Sequence, residues 1–142
     1  MALSARDAFK QTLLETDETI YTLIKLPANA IWAAAGILAQ VNEAFSVVIA
    51  DAHEITLILP AGTREEFANR LPDAQEAGEY RLITFTLELD LALVGFMAIV
   101  AETLAAAQVP IMAFSAFSRD HLLVPADQFQ RAWDVLRAAQ AH

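Results

Sequence analysis

Residues 89–125 decide the fold, and they read LDLALVGFMAIVAETLAAAQVPIMAFSAFSRDHLLVP. Asp90 can cap a helix, because its carboxylate can accept hydrogen bonds from the free N–H groups of a first turn. Residues that would share one helix face then recur at spacings of three and four: Phe96, Ile99, Val100, Thr103, Leu104 and Ala107. Pro110 ends this pattern. The stretch therefore predicts a helix that begins after Asp90 and packs through one apolar face.

A strand pair follows this helix. Residues 111–117 and 121–124 are mostly apolar and are predicted to form two strands. The polar residues Ser118, Arg119 and Asp120 form the predicted turn between them, and Pro125 ends the second strand.

Alternating strands and helices extend from this stretch towards both ends of the chain. The predicted strands are residues 20–26, 45–50, 55–59 and 80–89, and the predicted helices are residues 4–15, 28–40, 63–70 and 126–139. Thr63 and Glu66 have the spacing of a capping box at the start of the third of these helices. Residues 72–79 are predicted to be a loop, and Asp51–Glu54 are predicted to be a hairpin turn.

The order strand, helix, strand, strand, helix occurs twice, over residues 21–71 and 80–139. The clearest match pairs EITLILPAGTREEFANR with RDHLLVPADQFQRAWDVL, since in both an apolar strand ends in proline and a charged helix follows. This order predicts an α+β fold of two ferredoxin-like βαββα units, with antiparallel sheets and helices on one face. Each half lacks a fourth strand of its own, so we expect the halves to be intertwined.

Composition limits the partners. The chain has 142 residues and a net charge of −9, with no basic stripe, so nucleic acid and anionic membranes are not expected partners. It has no cysteine, and the charged residues near its start argue against an export signal, so we expect a cytoplasmic protein. Hydrophobic residues make up 56% of the chain, a surplus that could cover the subunit interface of a homodimer or higher homo-oligomer.

Two motifs resemble a known family. Val94-Gly95-Phe96 at the helix start and the segment DHLLVP, residues 120–125, are similar to the C-terminal half of small bacterial tandem ACT-domain proteins. The segment ITLILP, residues 55–60, is similar to the matching strand of their first unit. The resemblance covers residues 20–139 and implies a first ACT-like unit in 19–79 and a second in 80–142. The amphipathic N-terminal helix, within residues 1–18, precedes these units. It also implies a regulatory or sensor protein that binds a small molecule, usually an amino acid, at an interface between ACT units.

The candidate ligand-binding residues lie at the helix start and around the turn: Val94, Gly95, Phe96, Ser115, Phe117, Ser118 and Asp120. The missing side chain of Gly95 would let a ligand carboxylate approach free N–H groups, although close packing of helix on sheet would also explain a glycine there. Asp120 could pair with a cationic group of the ligand, or it could simply bond its own backbone in the turn. Ser115 and Phe117 could equally be ordinary sheet residues.

Other chemistry has weaker support in the sequence. Asp120 and His121 with Ser115 or Ser118 suggest a catalytic triad, but neighbouring strand residues point to opposite faces, so Asp120 is poorly placed to orient His121. Asp51, His53 and Glu54 lack a distant further metal ligand, and the four glycines are too far apart to form a phosphate loop. We therefore expect no enzyme, no metal and no cofactor. The alternative to a ligand sensor is a structural oligomerisation module without a functional ligand site.

Overall fold

The computed structural model describes residues 3–41, 45–71 and 73–142. The helices and strands in chain order are α1 (Ala5–Gln11), β1 (Leu14–Glu15), β2 (Tyr21–Pro27), α2 (Ile31–Gln40), β3 (Val47–Ala50), β4 (Glu54–Pro60), α3 (Thr63–Glu66), β5 (Gln75–Phe85), α4 (Phe96–Ala106), β6 (Met112–Ser115), β7 (Asp120–Pro125) and α5 (Phe129–Gln140). Short 3-10 turns lie at Ala68–Arg70 and Ala126–Gln128. The mixed helices and antiparallel strands confirm the predicted α+β class.

The chain divides into two compact units. One unit combines Met1–Glu18 with Tyr80–His142, and the other is Thr19–Glu79. In the unit that contains Tyr80–His142, β5 pairs with β1 and β7, and β7 pairs with β6. The strand β1 thus joins this sheet at the place where the sequence order left the second repeat one strand short.

The core of this unit forms between its sheet and its three helices. The sheet contributes Ile83, Phe85, Leu122 and Val124, and the helices contribute Ala8, Phe9, Phe96, Val100, Leu104, Ala132 and Leu136. Phe96 packs edge-to-face against Phe85 at 5.4 Å and against Phe9 at 6.4 Å between ring centroids. The first turn of α4 is therefore held in place by buried aromatic contacts.

The unit Thr19–Glu79 has its own core. Alternate residues of β2 and β4 form the side of the sheet that a helix covers: Ile24, Leu26, Ile55, Leu57 and Leu59. Ala34 and Ile37 of α2 cover them. Tyr21 and Ile58 of the same strands are buried as well. The predicted hairpin between β3 and β4 is confirmed, because Asp51 Oδ1 accepts hydrogen bonds from the backbone N–H groups of His53 and Glu54 at 2.7 and 2.9 Å.

The N-terminal helix is shorter than predicted. It ends at Gln11 instead of residue 15, and Leu14–Glu15 form β1. Contacts that are distant in sequence determine this end, because Gln140 Nε2 donates hydrogen bonds to the carbonyl oxygens of Phe9 and Thr12 at 2.9 and 2.7 Å. Leu13, which the predicted helix included, lies beyond its end and is 74% exposed.

Further boundaries differ from the prediction. The central helix begins at Phe96, β6 ends at Ser115 instead of residue 117, and Asp120 begins β7 instead of ending the turn. The strand predicted at residues 80–89 runs from Gln75 to Phe85, so most of the loop predicted at 72–79 is strand, while Pro72 lies outside the described residues. Thr63 is not a helix cap, because the N-cap of α3 is Gly62 and the Thr63 hydroxyl donates to the Pro60 carbonyl at 2.6 Å.

Candidate functional site

A cleft of about 300 Å³ opens in the unit that contains Tyr80–His142. Residues from three segments line it: 89–93, 95–98 and 115–120. The first segment is the loop before α4, the second is the first turn of α4, and the third is the β6–β7 turn. All lining residues belong to one compact unit.

Gly95 places the start of α4 at this cleft. It is the N-cap residue with φ +97° and ψ 0°, a left-handed conformation that side chains disfavour, and no side chain caps the helix. The first bond within the helix runs from the Ile99 N–H to the Gly95 carbonyl, at 3.2 Å. The N–H groups of Phe96, Met97 and Ala98 therefore have no acceptor within the helix, and all three residues line the cleft.

Close packing does not explain this glycine. A Cβ built on Gly95 would meet its nearest neighbour, the Ala5 Cβ, at an ordinary contact distance of 3.7 Å. The backbone conformation, not a lack of space, is what requires glycine here.

Asp90 is not the helix cap that the sequence predicted. Its Oδ1 accepts a hydrogen bond from the Ala92 N–H at 2.8 Å, and its carbonyl accepts from the Leu93 N–H at 2.9 Å. Asp90 thereby forms a turn of its own before the helix, since an aspartate can bond the backbone two residues on. This turn leaves the Asp90 side chain exposed at the edge of the cleft.

Hydrogen bonds join the β6–β7 turn to the loop before α4. The Leu89 N–H donates to the Ser118 carbonyl at 2.7 Å. The Arg119 side chain donates through Nε to the Thr86 carbonyl at 3.0 Å and forms a salt bridge of 3.4 Å with Glu88. Since both side chains of that pair are substantially exposed, the pair itself contributes at most about 1 kcal/mol. The backbone contacts therefore do most to hold the two sides of the cleft together.

Asp120 is a buried carboxylate at the cleft. It is 9% exposed and begins β7, where it lies opposite both Phe85 and Ser115. Within the described residues its carboxylate has neither a hydrogen bond nor a salt bridge, and neither oxygen is fully buried, so the carboxylate reaches the open space of the cleft. Its charge tends to raise the pKa of the neighbouring His121. The position of Asp120 suits it to receive a cationic group from a ligand.

His121 points away from this arrangement. It lies opposite Phe114 and Thr84, and its Nδ1 is 2.9 Å from the Thr84 hydroxyl. Burial lowers the pKa of His121, with a smaller opposing effect from Asp120 and a further lowering from Arg119. Ser115 pairs instead with Asp120. The strand alternation thus separates the residues of the suggested triad.

The described residues include no group of three or more candidate metal ligands. Asp51, which the sequence grouped with His53 and Glu54, uses its carboxylate to fix the hairpin turn, and these backbone hydrogen bonds lower its pKa. No helix in the described part of the chain is long and apolar enough to cross a membrane.

The structure brings six of the seven candidate ligand-binding residues to the cleft: Gly95, Phe96, Ser115, Phe117, Ser118 and Asp120. Val94 does not line it. Val94 is 86% exposed and contributes to a second hollow of about 360 Å³ with Leu3 and Ala8. Sequence reasoning missed Asp90 and Arg119 as residues of the site, although Asp90 stands before the predicted helix and Arg119 in the predicted turn, next to the candidate residues. The role of all these residues in binding stays a prediction.

Comparisons with known proteins agree with this architecture. Residues 78–138 match the family model of the ACT domain. The chain is similar to a Vibrio cholerae protein of unknown function, titled a possible transport protein, with 18% identity over 93% of this chain and 92% of that one and a TM-score of 0.72. It is also similar to a putative C-terminal regulatory domain of aspartate kinase from Porphyromonas gingivalis (15% identity, 92% and 98% coverage, TM-score 0.68).

A third solved structure, the ligand-free regulatory subunit of aspartate kinase from Thermus thermophilus, has 14% identity, 91% and 96% coverage and a TM-score of 0.71. At these identities the solved structures establish the fold alone. No curated protein matches the chain.

Proposed function

We propose that this chain, whose residues 78–138 match the ACT-domain family model, is a regulatory protein whose ligand is an amino acid bound in the cleft between Gly95 and Asp120. The observation that supports this proposal most strongly is that one cleft contains both a site suited to an anion and a site suited to a cation. Uncapped N–H groups at the start of α4 favour a carboxylate, and the buried carboxylate of Asp120 favours an ammonium group. An amino acid carries both groups on one carbon atom.

The ligand carboxylate would accept hydrogen bonds from the N–H groups of Phe96, Met97 and Ala98, where the positive end of the helix dipole adds to them. The ligand ammonium would donate to Asp120, with the Ser115 and Ser118 hydroxyl or carbonyl oxygens as further acceptors. The cleft volume of about 300 Å³ lies at the lower end of the range for small-molecule sites, which suits a molecule of this size.

The exposure of Phe117 favours a ligand site over a module that only assembles. A cleft filled by the Phe96 and Phe117 side chains would leave no room for a guest. Phe96 is buried in the core, whereas Phe117 is 82% exposed at the rim, and the volume between them remains open. This arrangement supports a functional pocket.

Oligomerisation forms a second part of the proposal. Leu91 and Phe117 at the cleft and Val94 at the second hollow are exposed apolar side chains, at 73%, 82% and 86% exposure. Exposed apolar groups of this kind favour contact with another protein surface. We propose that a second ACT unit covers them in a homodimer or higher homo-oligomer, with residues 19–79 and 80–142 as the ACT units of each chain. Ligand binding would then favour one arrangement of units, which a cytoplasmic partner reads, without catalysis by this chain.

A thermal-shift screen of the standard amino acids tests the proposal. Ligand binding raises the unfolding temperature of the native protein, so at least one amino acid should stabilise the wild type, and the shift should disappear in Asp120→Asn. A matched control is Asp127→Asn, which removes a charge outside the cleft and should keep the shift. If no amino acid stabilises the wild type, or if Asp120→Asn responds like the wild type, the proposed site is wrong.

A further inference from the structure

We propose that the cleft selects amino acids with a cationic side chain, an inference that rests on the proposed function and deepens it. The charges lining the cleft carry the inference. An amino acid with a neutral side chain has one cation and one anion, so it matches a cleft with one carboxylate and one anion site. This cleft has two carboxylates.

Asp120 is the first carboxylate. The residue is 9% exposed, and its carboxylate has no hydrogen bond or salt bridge within the described residues, so its negative charge is directed to the cleft and only partly screened by water. Such a charge gains more from a cation than an exposed one does, because less water screens it. In the proposed arrangement it receives the α-ammonium group.

Asp90 is the second carboxylate. It lines the same cleft from the opposite loop, and its Oδ1 bond to the Ala92 N–H fixes the side chain. A single N–H donor leaves most of the accepting capacity of a carboxylate unused. Asp90 can therefore receive a second cationic group.

Arg119, the cationic side chain among the described residues that line the cleft, does not balance the charges of the two carboxylates. Arg119 is bound to Glu88 at 3.4 Å and to the Thr86 carbonyl at 3.0 Å, so its charge is already compensated by a carboxylate beside the cleft. The net charge of the chain, −9, adds a long-range preference for cations. The free N–H groups of α4 accommodate one ligand carboxylate, but a second would meet Asp90 or Asp120. The charges that line the cleft therefore favour a ligand with two cationic groups and one anionic group, such as lysine, ornithine or arginine.

Isothermal titration with four probes separates this proposal from the one on which it rests. Lysine and arginine carry the second cation, norleucine has an alkyl chain like that of lysine without the charge, and glutamate reverses the charge. We expect lysine or arginine to bind at least about tenfold more tightly than norleucine, and glutamate not to bind. Equal binding of lysine, arginine and norleucine, or tightest binding of glutamate, would overturn the cationic selection while leaving an amino-acid site in place. No binding by any probe, with no stabilisation in the wider screen, would overturn both.

The variant Asp90→Asn tests the assignment of the second carboxylate. Asparagine keeps an Oδ1 acceptor for the Ala92 N–H, so the turn is preserved while the charge is lost. We expect the affinity for lysine or arginine to fall about tenfold and the affinity for norleucine to stay unchanged. Asp127→Asn, which changes the net charge by the same amount outside the cleft, should change neither affinity. An unchanged affinity for the basic ligands in Asp90→Asn would contradict the proposal.

Discussion

Ser115 and Asp120 lie directly opposite each other in the β6–β7 hairpin, and both line the cleft at the start of α4. Opposed residues in an antiparallel pair share a face of the sheet. A hydroxyl and a buried carboxylate therefore face the same space as the free N–H groups of the helix. The consequences of this arrangement can be measured.

The ligand-free protein should become more stable when Asp120 is replaced by asparagine. The residue is 9% exposed, and its carboxylate has no ion-pair or hydrogen-bond partner in the described part of the chain, so an amide loses no protein contact and costs less free energy to hold away from bulk water. We expect the free energy of unfolding to rise by about 1 kcal/mol at a pH above the ordinary pKa of His121. Urea denaturation with Asp127→Asn as the control measures this change. A loss of stability in Asp120→Asn would mean that the carboxylate has a structural partner.

Replacing Gly95 by alanine should reduce both stability and ligand binding. The φ of +97° strains any residue with a side chain, at a cost of about 1–2 kcal/mol. If the backbone relaxed to relieve this strain, the first N–H groups of α4 would no longer point in the direction that ligand binding needs. Chemical denaturation and titration measure the two effects.

Gly62→Ala provides the matched control for Gly95→Ala. Gly62 has a φ of +94° and open space around it, but it lies in the other unit at the start of α3. We expect it to cost a similar amount of stability without changing ligand affinity. Equal loss of affinity in both variants would mean that general destabilisation, not the start of α4, governs binding.

The two phenylalanines of the candidate site should behave in opposite ways. Phe96 is 3% exposed and packs against two aromatic rings, so Phe96→Ala should lower the free energy of unfolding by about 3–5 kcal/mol. Phe117 is 82% exposed, so Phe117→Ala should change stability by less than about 0.5 kcal/mol. Sedimentation velocity should show weaker self-association of Phe117→Ala. If association is unchanged, the apolar rim is not the interface.

Acidification should destabilise the protein through His121. Burial lowers the pKa of His121 in the folded state below its ordinary value of 6.5, so the unfolded state binds more protons. The stabilising contribution is fully present above 6.5 and is lost as the pH falls through the lower pKa of the folded state. We expect His121→Asn, whose amide can replace Nδ1 in the bond to the Thr84 hydroxyl, to show a smaller loss of stability on acidification. Urea midpoints above and below 6.5 measure the difference between the two proteins. Parallel pH profiles would contradict this role of His121.

The repeat of apolar strands and helices was sufficient to predict the fold class. Alternating apolar residues in β4, such as Leu57 and Leu59, and the three- and four-residue spacing in α4 reflect burial directly. The strand β1 carried no such pattern, because two residues are too few to show a period and its position depends on pairing with Phe85 and Thr84. The start of β5 was missed because QEAGE is polar and exposed.

The candidate site was predictable in part. The resemblance in Val94-Gly95-Phe96 and residues 120–125 pointed to two segments that the structure brings to one cleft, and their role in binding stays a prediction. The sequence could not show that Asp90 bonds to Ala92 instead of capping α4, because the same residue type favours both a cap and a turn. Nor could it show that Val94 turns towards a different hollow, since the loop before α4 has no periodic pattern.

The central claim is that an amino acid binds between the start of α4 and Asp120, and ligand-induced changes in the ¹H–¹⁵N NMR spectrum test it most directly. The protein labelled with ¹⁵N would be titrated with the amino acid that stabilises it most, starting with lysine and arginine. The account predicts that the largest shifts occur at the amides of residues 95–98 and 115–120. Saturating shifts confined to residues outside the cleft, or no shifts with any amino acid, would contradict it.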